Sequence, residues 1–215
     1  MATKIVIFDF DGTLGDTRRK IIITFQRTMQ ERGLEVMSEE VCASTIGLTL
    51  GDGFKAMYPT LSDSEAEECV EHYRRVFFED IDSTTPELFD GVKEALARLR
   101  AMDLRLTIAS SRSSPSLKLF LKNMGIADYF SYIVAADTVA KHKPDPEPVL
   151  QTLRECGYKP EEAIVVGDMP VDVLMARHAG VRSVGVTWGN AQREELETAG
   201  ADYVIDHISE LFDCL

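Results

Sequence analysis

The sequence predicts an α/β fold: a doubly wound parallel sheet with helices on both faces, carrying a small all-helical insertion after the first strand. Three observations lead there. From Phe89 onward, short apolar runs alternate with helical stretches, the rhythm of successive β-α units. Residues 16–85 read as helical throughout, too few to form a large domain of their own. Asp9, Ser110 and Asp168 each stand at the C-terminal end of an expected strand, where open parallel sheets hold their ligands.

Taken in order, residues 4–8 are a short apolar strand that delivers two acids, Asp9 and Asp11, into a loop that Gly12 lets turn sharply. Asp16 is placed to cap a long helix running toward Gly33, with Ile22, Phe25 and Met29 on one face. Ser38 can start a shorter helix, and residues 46–51 interrupt the pattern with Gly47 and Gly51. Ser62 and Glu65 form a capping-box pattern before a third long helix, whose apolar side carries Cys69, Tyr73, Val76 and Phe77. Residues 82–86 read as the return linker. The spacing then predicts helix over 90–102 and strand over 104–109. Ser114 and Pro115 open a helix ending at Gly125. Strand over 132–136, helix over 147–156, strand over 163–166, helix over 171–179 and strand over 181–186 complete the alternation. Hinges near 15–17 and 82–87 would let the insertion move against the rest.

The chain has 215 residues and a formal net charge of −13, with ordinary apolar and charged fractions of 45% and 27%. The charge argues against nucleic acid and anionic membranes as partners. No stretch approaches the ~18 apolar residues of a membrane span, and the N-terminus offers no expected signal peptide. Cys42, Cys69, Cys156 and Cys214 are widely spaced, as suits reduced thiols in a cytoplasmic protein. A site for phosphate in so acidic a chain requires local positive charge.

Two carboxylates two positions apart in a tight loop suit one hard cation and one phosphoryl group, one acid attacking and the other moving protons. Asp9-Phe10-Asp11-Gly12-Thr13 resembles the opening motif of the haloacid dehalogenase-like hydrolases. Three further pieces follow in that family's order: an apolar run ending at Ser110; Lys143 ahead of Pro144-Asp145-Pro146; and a strand ending in Gly167-Asp168 with Asp172 four residues on. The four span residues 4–172. Within the family the last motif, followed by 176–180, looks most like the phosphoglycolate phosphatases.

The resemblance implies a core domain of residues 1–15 and 86–215 and a helical cap of residues 16–85 that sets specificity. It implies a Mg²⁺-dependent phosphatase acting on a small phosphomonoester, phosphoglycolate-like, as monomer or homodimer. Asp9 would be the nucleophile that carries an aspartyl-phosphate and Asp11 the general acid–base. Family members that cleave carbon–halogen bonds generally lack an Asp at the second position, which disfavours a dehalogenase. Asp9, the Asp11 backbone carbonyl and Asp168 would hold Mg²⁺, and Asp172 would hold a metal-bound water or orient Lys143. Ser110 would donate to a phosphate oxygen, and Lys143, preferred to Lys141, would neutralise the nucleophile–phosphate pair; His142 reads as an exposed loop residue.

Gly12, Ser111, Arg112 and Arg18 are the candidate substrate contacts. Many phosphoglycolate phosphatase-like members carry Asn and Lys where this chain has Ser111 and Arg112, so substrate identity does not transfer directly. Arg18 belongs to a stretch, residues 17–34, with five basic side chains against one acidic, readable as an anion-steering lip or as a solvated helix face. The loop over 46–51 is either a substrate-facing loop or a mere helix break. Alternatives on the same scaffold are an inorganic pyrophosphatase, a nucleotidase and a mutase of β-phosphoglucomutase type. Such mutases usually have an acidic pair where Gly167 and Asp168 stand. A catalytically silent binding module is the reading from outside enzymology.

Overall fold

The computed structural model describes residues 2–79 and 86–215. Its strands are β1 (Ile5–Phe8), β2 (Gly15–Asp16), β3 (Glu87–Leu88), β4 (Arg105–Ala109), β5 (Tyr132–Val134), β6 (Ala163–Gly167), β7 (Arg182–Val186) and β8 (Tyr203–Ile205). Six of them form one sheet in the order β5-β4-β1-β6-β7-β8, every neighbouring pair parallel. β2 and β3 pair separately and antiparallel. The helices are α1 (Arg18–Glu31), α2 (Glu39–Ala43), α3 (Leu50–Met57), α4 (Asp63–Glu79), α5 (Val92–Ala101), α6 (Ser114–Asn123), α7 (Glu147–Cys156), α8 (Pro170–His178) and α9 (Arg193–Ala199).

A parallel sheet covered on both faces needs strands that are apolar at every position, and β1 is one. Val6 and Phe8 enter a cluster with Leu96 of α5 and Leu117 and Phe120 of α6. Ile5 and Ile7 enter a second cluster with Val149 and Leu153 of α7 and Met175 of α8. The sheet is therefore doubly wound, as the sequence predicts.

The helices α1–α4 pack on one another around rings. Phe25 lies 5.2 Å from Phe54 and 4.8 Å from Tyr73, centroid to centroid. Phe77 then meets Phe120 of α6 at 5.5 Å, and Phe120 stacks on Phe10 at 6.1 Å. An aromatic path thus runs from the helical insertion to the loop after β1.

Several expectations shift. Thr17, not Asp16, precedes α1, because Asp16 is drawn into β2 by its pairing with Glu87. Ser113 stands at the N-cap position of α6 without a side-chain capping bond, and Ser114 is already helical; the Asp137 carboxylate accepts from the Ser114 N–H at 2.8 Å and from its hydroxyl at 2.7 Å. Gly51 breaks nothing: Thr49 caps α3, accepting from the Asp52 N–H, and Gly51 lies within the helix. The Ser62–Glu65 box forms as expected, with the Glu65 carboxylate accepting from the Ser62 N–H at 2.8 Å. The sequence pattern did not anticipate α9, β8 or the β2–β3 pair. The return linker over 82–86 and the hinge near 82–87 fall mostly outside the described residues. No helix among the described residues is long and apolar enough to cross a membrane.

Candidate active site

Register brings the first motif residues together. Phe8 pairs with Ile108 on one side and Val166 on the other, so Asp9 stands level with Ala109 and Gly167, the last residues of β4 and β6. Ser110 and Asp168 follow one step beyond. β1 lies between the half of the sheet wound toward β5 and the half wound toward β8, the switch point where such sheets open a crevice.

Four buried charged side chains meet there. Lys143 Nζ donates to Asp9 Oδ1 at 2.6 Å and to Asp172 Oδ1 at 2.6 Å. The other Asp172 oxygen accepts from the Met169 N–H at 3.1 Å. Asp168 accepts from the Asn190 N–H and side-chain amide, both at 2.8 Å, and from the Thr13 hydroxyl at 3.2 Å. Asp9, Asp168 and Asp172 can each offer an oxygen, all within 4.8 Å of one another.

Burial pushes the Asp9 carboxyl well above the usual carboxylate range. Lys143 opposes that, and Asp172, Asp168 and Asp11 add repulsion. Asp168 is pushed up to about 7, by burial first and Asp172 next, against the hydrogen bonds from Asn190. Burial also works against the Lys143 ammonium, yet Asp172 and Asp9 outweigh it and hold its pKa above the ordinary lysine value. Three buried carboxyls around one ammonium leave negative charge in excess. A hard divalent cation with oxygen ligands would balance it, so the donor set fits Mg²⁺.

Backbone without side chains closes around Asp168. Gly12 has φ +83°, and a Cβ there would lie 2.2 Å from Asp168 Oδ2; a Cβ on Gly189 would lie 2.3 Å from Asp168 Cβ. Both positions require glycine, the first on conformation as well as space. The loop after β7 supplies Gly189 and Asn190, and the Trp188 indole N–H donates to the Thr13 carbonyl at 3.1 Å. Sequence reasoning missed this loop, which lies outside the four motifs.

Asp11 sits apart from the lysine. The Arg112 guanidinium grips it from Nε at 3.1 and 3.0 Å and from Nη2 at 2.5 Å. That guanidinium lies 4.8 Å from the Phe120 ring centroid and 5.3 Å from that of Phe77. Arg112, a candidate substrate contact from the sequence, is thus engaged with Asp11 in this arrangement.

Ser110 Oγ accepts from the Arg112 N–H at 3.2 Å, leaving its own proton free to donate. The Ser111 hydroxyl donates to the Gly47 carbonyl at 2.6 Å, tying the sheet side to the 46–51 loop. Arg18, one of the five basic side chains of the expected lip, donates to Asn190 Oδ1 at 3.0 Å in an exposed position. Arg32 pairs with Glu68 at 2.6 Å and Arg27 with Glu79 at 2.7 Å, so much of the basic stretch faces α4 carboxylates. A cleft of about 300 Å³ opens from Asp9 and Asp11 between α1, the 45–51 segment, α4 and the start of α6; His142 and Ser111 also line it.

A parallel α/β sheet with buried acids gathered at its switch point defines the class of doubly wound α/β proteins that hold their ligands beyond the strand ends. The family model described as haloacid dehalogenase-like hydrolase matches residues 6–186. The chain is 34% identical over 209 residues to "Probable phosphatase IndB" of Dickeya dadantii (strain 3937), covering 96% of this chain and 91% of that one. It is 34% identical over 206 residues to pyrophosphatase PpaX of Bacillus pumilus (strain SAFR-032), at 96% and 93% coverage. It is 30% identical over 210 residues to phosphoglycolate phosphatase of Aquifex aeolicus (strain VF5), at 97% and 94%. Among solved structures, a haloacid dehalogenase-like family protein from Streptococcus pneumoniae superposes with a TM-score of 0.86 at 25% identity, covering 99% of this chain and 98% of that one. The chain belongs to the haloacid dehalogenase-like hydrolase family and is an enzyme of that fold.

Proposed function

We propose that the protein is a Mg²⁺-dependent phosphatase that hydrolyses a small phosphomonoester through an aspartyl-phosphate on Asp9. The observation that carries this is the buried Asp9–Lys143–Asp172 chain beside Asp168, open to the cleft that Asp11 also lines. One Asp9 oxygen is held by Lys143, which leaves the other to attack phosphorus. The Asp9 O–P bond forms as the ester P–O bond breaks, and Asp11 gives its proton to the departing alcohol oxygen. Water then attacks the aspartyl-phosphate, Asp11 takes its proton, and inorganic phosphate leaves Asp9 as a free carboxylate.

Asp9, the Asp11 carbonyl and Asp168 would hold Mg²⁺, which supplies charge balance for two anions brought together. Asp172 positions Lys143, and Ser110 donates to a nonbridging phosphate oxygen. Asp11 can act as an acid only at Oδ2, once Arg112 Nε releases that oxygen while Nη2 keeps Oδ1. In this reading residues 16–85 act as the cap that admits substrate and excludes water over a core of 1–15 and 86–215.

The test is phosphate release from a panel of phosphate esters together with pyrophosphate, with Mg²⁺, then with excess EDTA, and with Asp9→Asn. Turnover should need the metal and fall by roughly a thousandfold or more in the variant. Near-wild-type turnover in Asp9→Asn would sink the mechanism. Kinship to proteins named pyrophosphatase PpaX supports a second reading, with pyrophosphate as substrate; the same panel decides it.

A further inference from the structure

The cleft changes character beyond the aspartates. Phe25, Leu48, Leu50, Val70, Tyr73 and Phe77 line it from the helical side. The apolar wall begins beside the chemistry, since Phe77 lies 5.3 Å from the guanidinium that holds Asp11. Two arginines line the cleft, and both are already set against carboxylates. Arg112 is fixed on Asp11, and Arg74, half exposed, lies 3.9 Å from Glu67. Glu67 and Asp137 contribute negative charge to the same lining, and His142 is its remaining basic side chain.

A second anionic group on the substrate would therefore enter a space with aromatic walls and two carboxylates, where the one lining arginine not hydrogen-bonded to an acid, Arg74, is half exposed to water and lies 3.9 Å from Glu67. Removing such a group from water without a partner is costly, whereas an uncharged ring or short alkyl chain gains from the same surface. A cleft of about 300 Å³ stands at the small end of ligand sites, which run to roughly 1,000 Å³.

We infer that the leaving group is an uncharged, largely apolar alcohol, aromatic or alkyl, so that the substrate class is a lipophilic phosphomonoester. This rests on the reading of Asp9 and its neighbours as the phosphate site. Leu48, half-buried in the loop that Ser111 ties down, is the specificity residue most open to change.

Binding separates this inference from the hydrolytic reading. Benzylphosphonate, methylphosphonate and phosphonoacetate are titrated by calorimetry into the wild-type protein with Mg²⁺, and benzyl phosphate is assayed for turnover alongside. Benzylphosphonate should bind roughly tenfold tighter or more than the other two. In Leu48→Lys that preference should narrow, with benzylphosphonate weakened and phosphonoacetate strengthened. Phosphonoacetate binding as tightly as benzylphosphonate in the wild type would overturn the inference, and that comparison needs no variant to fold. The expected preference without turnover of benzyl phosphate would support the cleft's selectivity and strike only the hydrolytic reading.

Discussion

On the sheet side of the cleft, charge is buried and each charged group is held by fixed partners: Lys143 between Asp9 and Asp172, and Asp168 among Asn190 and Thr13. On the helical side the charges lie at the surface, as Arg32–Glu68 and Arg27–Glu79 do, and the interior is aromatic. Buried groups that strand ends and backbone N–H groups position are costly to rearrange, which suits an invariant phosphoryl chemistry. Apolar packing tolerates exchange of one side chain for another, which suits a surface that selects the alcohol. The difference teaches where in this chain a mutation should change rate and where it should change preference.

The contrast can be broken most forcefully at Lys143. Lys143→Met leaves Asp9 and Asp172 facing each other with no ammonium, and should cost about 3–5 kcal/mol of folding free energy in urea titrations at neutral pH. Wild-type stability in that variant would mean that the buried charges do not depend on their lysine.

A medium effect should come from Asp168 without metal. Its carboxyl is pushed up to about 7 from 3.8, so between those values the folded chain binds more protons than the unfolded one. That contribution is full at low pH and is lost as pH rises through about 7. In EDTA, the melting temperature of Asp168→Asn should gain on the wild type from about pH 4 to about pH 7, and Mg²⁺ should close the gap. A pH-independent difference would argue that this acid is not strained by its surroundings.

The smallest effect belongs to the surface of the helical side. Arg32→Ala removes an exposed pair and should change stability by less than about 1 kcal/mol, with the remainder screened by salt. A larger loss would mean that the α1–α4 contact depends on its charges more than on its rings.

The acids were legible because they are local: Asp9 and Asp11 share one loop, and Asp168 and Asp172 share a strand end and the helix turn after it. The sheet was legible through runs that are apolar at every position. Arg112 on Asp11 was not, since the partners are 101 residues apart and nothing in either segment announces the other. Asn190 was missed for a related reason: its amide matters only because β7 returns the chain beside Asp168. Asp16 and Thr17 exchanged places at the start of α1 because of β3, a partner some 70 residues on, and tertiary pairing overrode a good local cap.

Trp188 is the only tryptophan in the chain. Its indole is tied to the Thr13 carbonyl, on the loop that carries Asp11, and stands next to the residues that hold Asp168. The molecule thus contains its own optical reporter, placed at the seam between the loop that carries Asp9 and Asp11 and the buried Asp168. Emission from the unlabelled protein should follow magnesium and phosphate-analogue occupancy in real time, without a dye or a second chromophore to disentangle.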